Sequence, residues 1–156
     1  VFVFSEGAVA DLGRVGLRVL YQKSLDHDFR RVADNIRTWG HITGSPAAAE
    51  IVAARFEARV ARIEEAVASQ VGGTGVFQDE GQLWTPGPDT LMGEVLALLK
   101  LANIAHDVSG YAQLSPEIIV ERNPEIIIAS YGDTISKRPA LKDVTAIKEK
   151  RAVGGH

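Results

Sequence analysis

There is no cysteine among these 156 residues. Disulfide bridges and thiolate metal centres are thereby excluded, while the compartment stays open, because a chain without thiols suits a reducing or an oxidising milieu. Long apolar runs are missing too: none approaches the ~20 residues a membrane-crossing helix needs, so direct membrane insertion is not expected. Blocks of like charge are absent, with 17 basic against 20 acidic residues and a formal charge of −3. That balance leaves no electrostatic footprint for nucleic acid. Histidine is scarce and scattered: His27, His41, His106 and His156 show no metal-ligand spacing, and none stands beside a serine nucleophile and an acid. Gly72-Gly73-Thr74-Gly75 lacks the Lys-Ser/Thr of a nucleotide P-loop and is too short to cradle a diphosphate, so it reads as a hinge or turn. No catalytic set, metal or cofactor is expected from these patterns.

What is present alternates between strand and helix signals. Val1–Phe4 and Leu17–Tyr21 are apolar runs of the kind found in strands covered on both faces, and "SEGAVADLGRVG" between them is a helical crossover. Strands joined in this way should be parallel. Leu25, Phe29, Val32, Ile36 and Trp39 recur every three or four residues, one apolar helix face that Gly44 ends. Ser45-Pro46 then offers an N-cap and a first-turn proline. From Pro46 to Gln70 no glycine or proline intervenes, and Val52, Phe56, Val60, Ile63 and Val67 form a narrow stripe. A helix so long is either a surface helix on one core or a rigid strut between two lobes.

"VGGTG" at 71–75 breaks that helix. After it come "VFQ" as a strand, the loop "DEGQLWTPGPDT", an apolar helix from Leu91 to Leu101, a short strand at Asn103–Ala105, a helix started by Ser115-Pro116, the buried strand "EIIIAS" and a last helix in Leu141–Lys150. This order predicts an α/β fold, a Rossmann-like lobe with a mostly parallel sheet. The chain opens directly in "VFVF" and closes on "RAVGGH", so both ends read as strands entered or cut midway and a fragment or processed chain is expected.

The most informative side chains are loop aromatics. Trp84, Tyr111 and Tyr131 each stand in a different connection of the second half. Ligands of open α/β sheets bind beyond the carboxyl ends of the strands, where such connections gather. Either these rings plug the rim of the lobe or they form a stacking surface for a flat or bulky ligand. Asp79 and Glu80 are adjacent loop acids with no partner to retune a pKa, which argues against catalysis there. Ser115 as N-cap and Pro116 at N1 put Glu117 at N2, one residue short of the capping-box position, so its carboxylate is not committed to closing the cap.

Residues 83–130 resemble the carboxyl-terminal lobe of the periplasmic binding proteins that serve cobalamin, ferric-siderophore and haem ABC importers. The likeness rests on Trp84-Thr85-Pro86-Gly87, Asn103-Ile104, Asp107, Tyr111, Gln113-Leu114-Ser115, Glu117 and Asn123-Pro124-Glu125, taken in order. It implies that 1–44 is the end of an amino-terminal lobe, 45–70 the connecting helix and 71–156 the second α/β lobe, with most of the first lobe and the export signal missing. It further implies a non-enzymatic, exported protein of the periplasm or cell surface that captures a metal chelate (corrinoid, ferric siderophore or haem). Trp84 and Tyr111 would then stack against the ligand, with Tyr131 the third candidate from the loop aromatics. By the same resemblance Glu117, with Glu6 for the other lobe, would meet arginines on the transmembrane subunits. The competing expectation is an α/β enzyme of nucleotide or sugar metabolism that uses the same loops.

Overall fold

The computed structural model describes residues 2–3, 6–21, 29–130 and 134–154. Strand β1 (Phe2–Val3) and strand β2 (Leu20–Tyr21) pair in parallel, Phe2 opposite Leu20 and Val3 opposite Tyr21, with helix α1 (Glu6–Arg14) as the crossover. Helix α2 (Arg31–Ile42) begins later than its apolar periodicity suggested: Phe29 precedes it and Leu25 lies outside the described residues. Gly44, at φ +72°, turns the chain into helix α3 (Pro46–Ala68). Ser45 occupies the N-cap position of α3 without a side-chain cap bond.

The two helices run antiparallel, as ion pairs that step down one and up the other require. Arg30 pairs with Glu64 at 2.6 Å, while Arg37 bonds Glu57 at 2.7 Å and forks onto Glu50 at 2.8 and 2.9 Å. These carboxylates, Glu50 first, raise the Arg37 pKa, and Arg37 lowers theirs. Gly40 allows the close approach: a Cβ there would stand 2.1 Å from the Ala49 Cβ. Helix α3 is unbroken over 23 residues, roughly 35 Å at 1.5 Å per residue. Its stripe is only half covered, with Ala53 fully buried, Phe56 tilted against Phe29 at 5.2 Å, and Val52 and Ile63 exposed.

Beyond α3, Gly73 donates to the Lys100 carbonyl at 3.0 Å and the Lys100 ammonium bonds the Ala68 carbonyl at 2.5 Å, which ties the helix end to the unit that follows. That unit is a four-stranded, all-parallel sheet of β3 (Gly75–Asp79), β5 (Ala102–Asn103), β7 (Ile126–Ala129) and β8 (Ala152–Gly154), in the order β5-β3-β7-β8. Helices α4 (Leu91–Leu98), α5 (Pro116–Arg122) and α6 (Thr145–Lys148) fall between the strands. Phe77, Ile119, Ile127, Ile135, Leu141 and Val144 form the heart of one buried cluster. Asn123, at φ +39°, caps α5 in the left-handed conformation, and Pro124 after it cannot continue the helix.

The expected strand at Asn103–Ala105 is instead Ala102–Asn103. The apolar helix after the Gly/Pro-rich loop stops at Leu98 rather than Leu101, because Lys100 turns left-handed at φ +57°. The loop itself is not structureless: β4 (Trp84–Pro86) pairs antiparallel with β6 (Tyr111–Gln113) as a separate two-stranded ribbon. Three residues containing a proline carry too little alternation to be read as a strand.

Candidate ligand-binding face

The ribbon grows out of the carboxyl end of β3, a central strand of the parallel sheet. Trp84 lies opposite Gln113, and Pro86 opposite Tyr111. Alternation then puts Trp84 and Tyr111 on one face as diagonal neighbours, with Cβ atoms about 7–8 Å apart or slightly less. Trp84 is 45% exposed and Tyr111 54%, whereas Thr85, the middle residue of β4, is fully buried. The ribbon therefore presents two exposed aromatic side chains on one face.

Hydrogen bonds from the neighbouring loops brace the ribbon. Asn103 donates its Nδ2 to the Pro86 carbonyl at 2.8 Å and accepts from the Ala105 N–H at 2.9 Å. Asp89 accepts from the Ser109 hydroxyl and the Gly110 N–H, each at 2.7 Å, and Gly87 donates to the Gly110 carbonyl at 2.7 Å. Thr90 caps α4 by accepting from Gly93 at 3.0 Å while its hydroxyl donates to the Gly87 carbonyl at 2.8 Å. Arg122 reaches from α5 to grip Asp107 with two bonds of 2.7 Å and the Ile104 carbonyl with one of 2.6 Å. This fork, followed by its own backbone N–H, pushes the Asp107 carboxyl down to about 2 and raises Arg122.

At the near end of the ribbon, a cleft of about 680 Å³ is lined by Gln82, Gln113, Ser115 and Arg138. Its polar side chains adjoin the aromatic face through Gln113, the cross-strand partner of Trp84. A second cavity of about 780 Å³ lies elsewhere, between α3 and α4, and its Glu94 carboxylate accepts the Phe29 N–H at 2.6 Å.

The remaining sequence candidates divide. Tyr131 falls outside the described residues, as do His27 and His156. Glu117 is exposed at the second position of α5, whose N-cap Ser115 accepts from the Ile118 N–H. Its carboxylate is not idle, since its own backbone N–H and then the Ser115 hydroxyl hold its pKa below the usual carboxylate range. Glu6 is exposed at the start of α1, in the other half of the chain. Among the described residues no three histidine, aspartate or glutamate side chains gather as a metal site. The Asp79-Glu80 pair is not a pair in function: Asp79 is buried and accepts two backbone N–H bonds of the turn that leads into Trp84. Asp-x-Gly, a familiar turn signal, was the clue to that role.

The sequence pattern of a periplasmic binding protein family matches residues 14–156. The chain belongs to that family. It is 36% identical over 101 residues to a cobalamin-binding protein of Halobacterium salinarum, a stretch that is 62% of this chain and 27% of the relative. It is 33% identical over 72 residues to an uncharacterized ABC transporter substrate-binding lipoprotein of Bacillus subtilis, 44% of this chain and 23% of that one. Its fold superposes on the periplasmic vitamin B12 binding protein BtuF of Vibrio cholerae with a TM-score of 0.81 at 19% identity, covering 97% of this chain and 61% of that structure. The chain thus spans only part of each relative. This is a family of substrate-binding transport proteins rather than of enzymes.

Proposed function

We propose that this chain belongs to the substrate-binding component of an ABC importer for a metal chelate, and that it supplies one wall of the ligand cleft. In this reading residues 45–70 are the strut between two lobes, 71–156 are the second lobe and 1–44 the end of the first. The observation that carries the proposal is the exposed Trp84–Tyr111 pair on a ribbon at the carboxyl edge of a parallel sheet. Such a pair offers stacking or apolar contact area to a corrin, a porphyrin or a ferric siderophore, while the polar cleft at Gln82, Gln113 and Arg138 receives the ligand's rim. The curated relative named for cobalamin supports a corrinoid within that class. Tyr131 is proposed as a third contact because it is the third aromatic in a connection of this half of the chain.

The partner side follows from Glu117. An exposed carboxylate at a helix start accepts a bidentate arginine fork, and a transmembrane permease subunit is the proposed donor. Glu6 takes the equivalent part in the first lobe. Function in the periplasm or at the cell surface accompanies this reading. The test is titration of the full-length protein with cyanocobalamin, haemin and ferrichrome, followed by Trp84→Ala and Tyr111→Ala. One probe should bind, and each variant should weaken it by roughly 1–3 kcal/mol, as for an interface aromatic. Unchanged affinity in both variants would sink the proposed platform.

A further inference from the structure

The connection between β3 and β4 is unusual in its backbone. Gly81, Gln82 and Leu83 follow one another at φ +116°, +52° and +66°, three consecutive residues on the left-handed side. Only glycine adopts such values freely, and glutamine and leucine have no local side-chain bond to favour them. A conformation of this kind persists when its surroundings over-determine it, and it clusters at functional sites.

Asp79 is the main restraint. Its side chain is 3% exposed, and one oxygen, Oδ1, accepts both the Gly81 N–H and the Leu83 N–H at 2.9 Å. The other side of the turn is fastened as well. Gln113 donates its Nε2 to the Gln82 carbonyl at 2.8 Å, and the Leu114 N–H bonds the Leu83 carbonyl at 3.0 Å. Glu80 donates to the Trp84 carbonyl at 2.8 Å, and Trp84 donates to Gly81 at 3.0 Å. Leu83 is anchored in the core at 4% exposure. The next residue along this clamped run is Trp84.

We infer that Asp79 is a positioning residue for ligand recognition: it holds the left-handed 81–83 turn and so fixes the direction in which β4 presents the Trp84 ring. Without its oxygen, two buried-side N–H groups lose their acceptor, and Gln82 and Leu83 are released toward negative φ. The peptide planes ahead of Trp84 then rotate, and the indole loses its fixed direction. A pre-aligned ring meets a ligand with little further loss of side-chain entropy, which is the gain such a clamp provides. The inference rests on Trp84 being a ligand contact, but the geometry of the turn does not.

The experiment separates these two. In the full-length protein, the Trp84 signal is isolated by subtracting the spectrum of the matching Trp84→Phe protein. Its anisotropy and acrylamide quenching are then measured without ligand in wild type, Asp79→Ala and Asp79→Asn. Asp79→Ala should lower the anisotropy and raise quenching about twofold, and should weaken the best of cyanocobalamin, haemin and ferrichrome about tenfold. Asp79→Asn keeps an oxygen at the Oδ1 position and should stay within about twofold of wild type on every readout. Should Asp79→Ala fail to fold, Gly81→Ala serves instead, because alanine cannot hold φ +116° and must shift the turn with Asp79 intact. An unchanged Trp84 signal in Asp79→Ala or Gly81→Ala overturns the inference, as does an Asp79→Asn protein as loose as Asp79→Ala. A loosened Trp84 with unchanged affinity upholds the positioning role and instead removes Trp84 from the ligand site.

Discussion

Gly87→Ala is the sharpest perturbation available at the ribbon, because the obstacle it meets is backbone. A Cβ on Gly87 would stand 2.1 Å from the Val108 carbonyl oxygen, 2.8 Å from its carbon and 3.1 Å from Asp89 Oδ1. Ordinary contact begins at 3.4 Å, so the strands' supporting loops must part by roughly 1.3 Å (3.4 less 2.1). The Gly87 bond to the Gly110 carbonyl, 2.7 Å long, cannot survive that movement intact. Overpacking of this kind costs about 1–3 kcal/mol, and the lost hydrogen bond adds about 1 kcal/mol. The sum, about 2–4 kcal/mol, should lower the urea midpoint by about 1–2 M at a common slope for a domain of this size. Gly13→Ala is the control: nothing lies within 4 Å of its Cβ, and it sits in helix α1. That change should be neutral or stabilise by about 0.4–1 kcal/mol. A Gly87→Ala midpoint within about 0.3 M of wild type, or no worse than Gly13→Ala, would refute the close-approach reasoning.

Thr85→Val should be neutral or stabilising by about 1 kcal/mol, because the fully buried Thr85 hydroxyl has no hydrogen-bond partner to lose; a clear fall in thermal midpoint would contradict this. Ala58→Pro, in the exposed middle of α3, should cost about 3 kcal/mol or more by removing a helical hydrogen bond, visible as lost ellipticity at 222 nm or a lowered midpoint. The Asp107 carboxyl lies near 2 in the folded chain against an ordinary 3.8, so its stabilising effect is complete above the unfolded value and is lost as pH falls through the folded one. Asp107→Asn should therefore shift the acid-unfolding midpoint upward, and identical acid titrations of the two proteins would argue that Arg122 does not hold the loop. Glu117→Arg in the full-length protein should leave chelate affinity intact while permease binding and uptake fall; loss of ligand binding with normal docking would reverse the roles proposed for Glu117 and Tyr111.

The elements that were legible in the sequence are those whose causes are local. Ser115 and Pro116 mark the start of α5 because the cap bond and the fixed proline φ act within three residues. An uninterrupted Pro46–Ala68 helix follows from twenty-three residues without a breaker, and the parallel β1-α1-β2 unit follows from two apolar runs joined by a crossover. The ordered family motifs were legible too, though their physical tasks were not. Asn103, Asp107 and Asp89 turn out to brace the ribbon, each bonding a group between 15 and 21 residues away in sequence. Trp84 and Tyr111 were visible as loop aromatics, but their common face depends on the register that sets Trp84 opposite Gln113. Pairing between segments so far apart is decided by the packing of the whole lobe, since a strand of three residues has no pairing preference strong enough to show in its own pattern. In the sequence Asp79 is only one of two adjacent loop acids without a visible partner. Its burial, and with it the left-handed turn that aims Trp84, exists only once β3 is enclosed by the sheet and the ribbon folds back across its end.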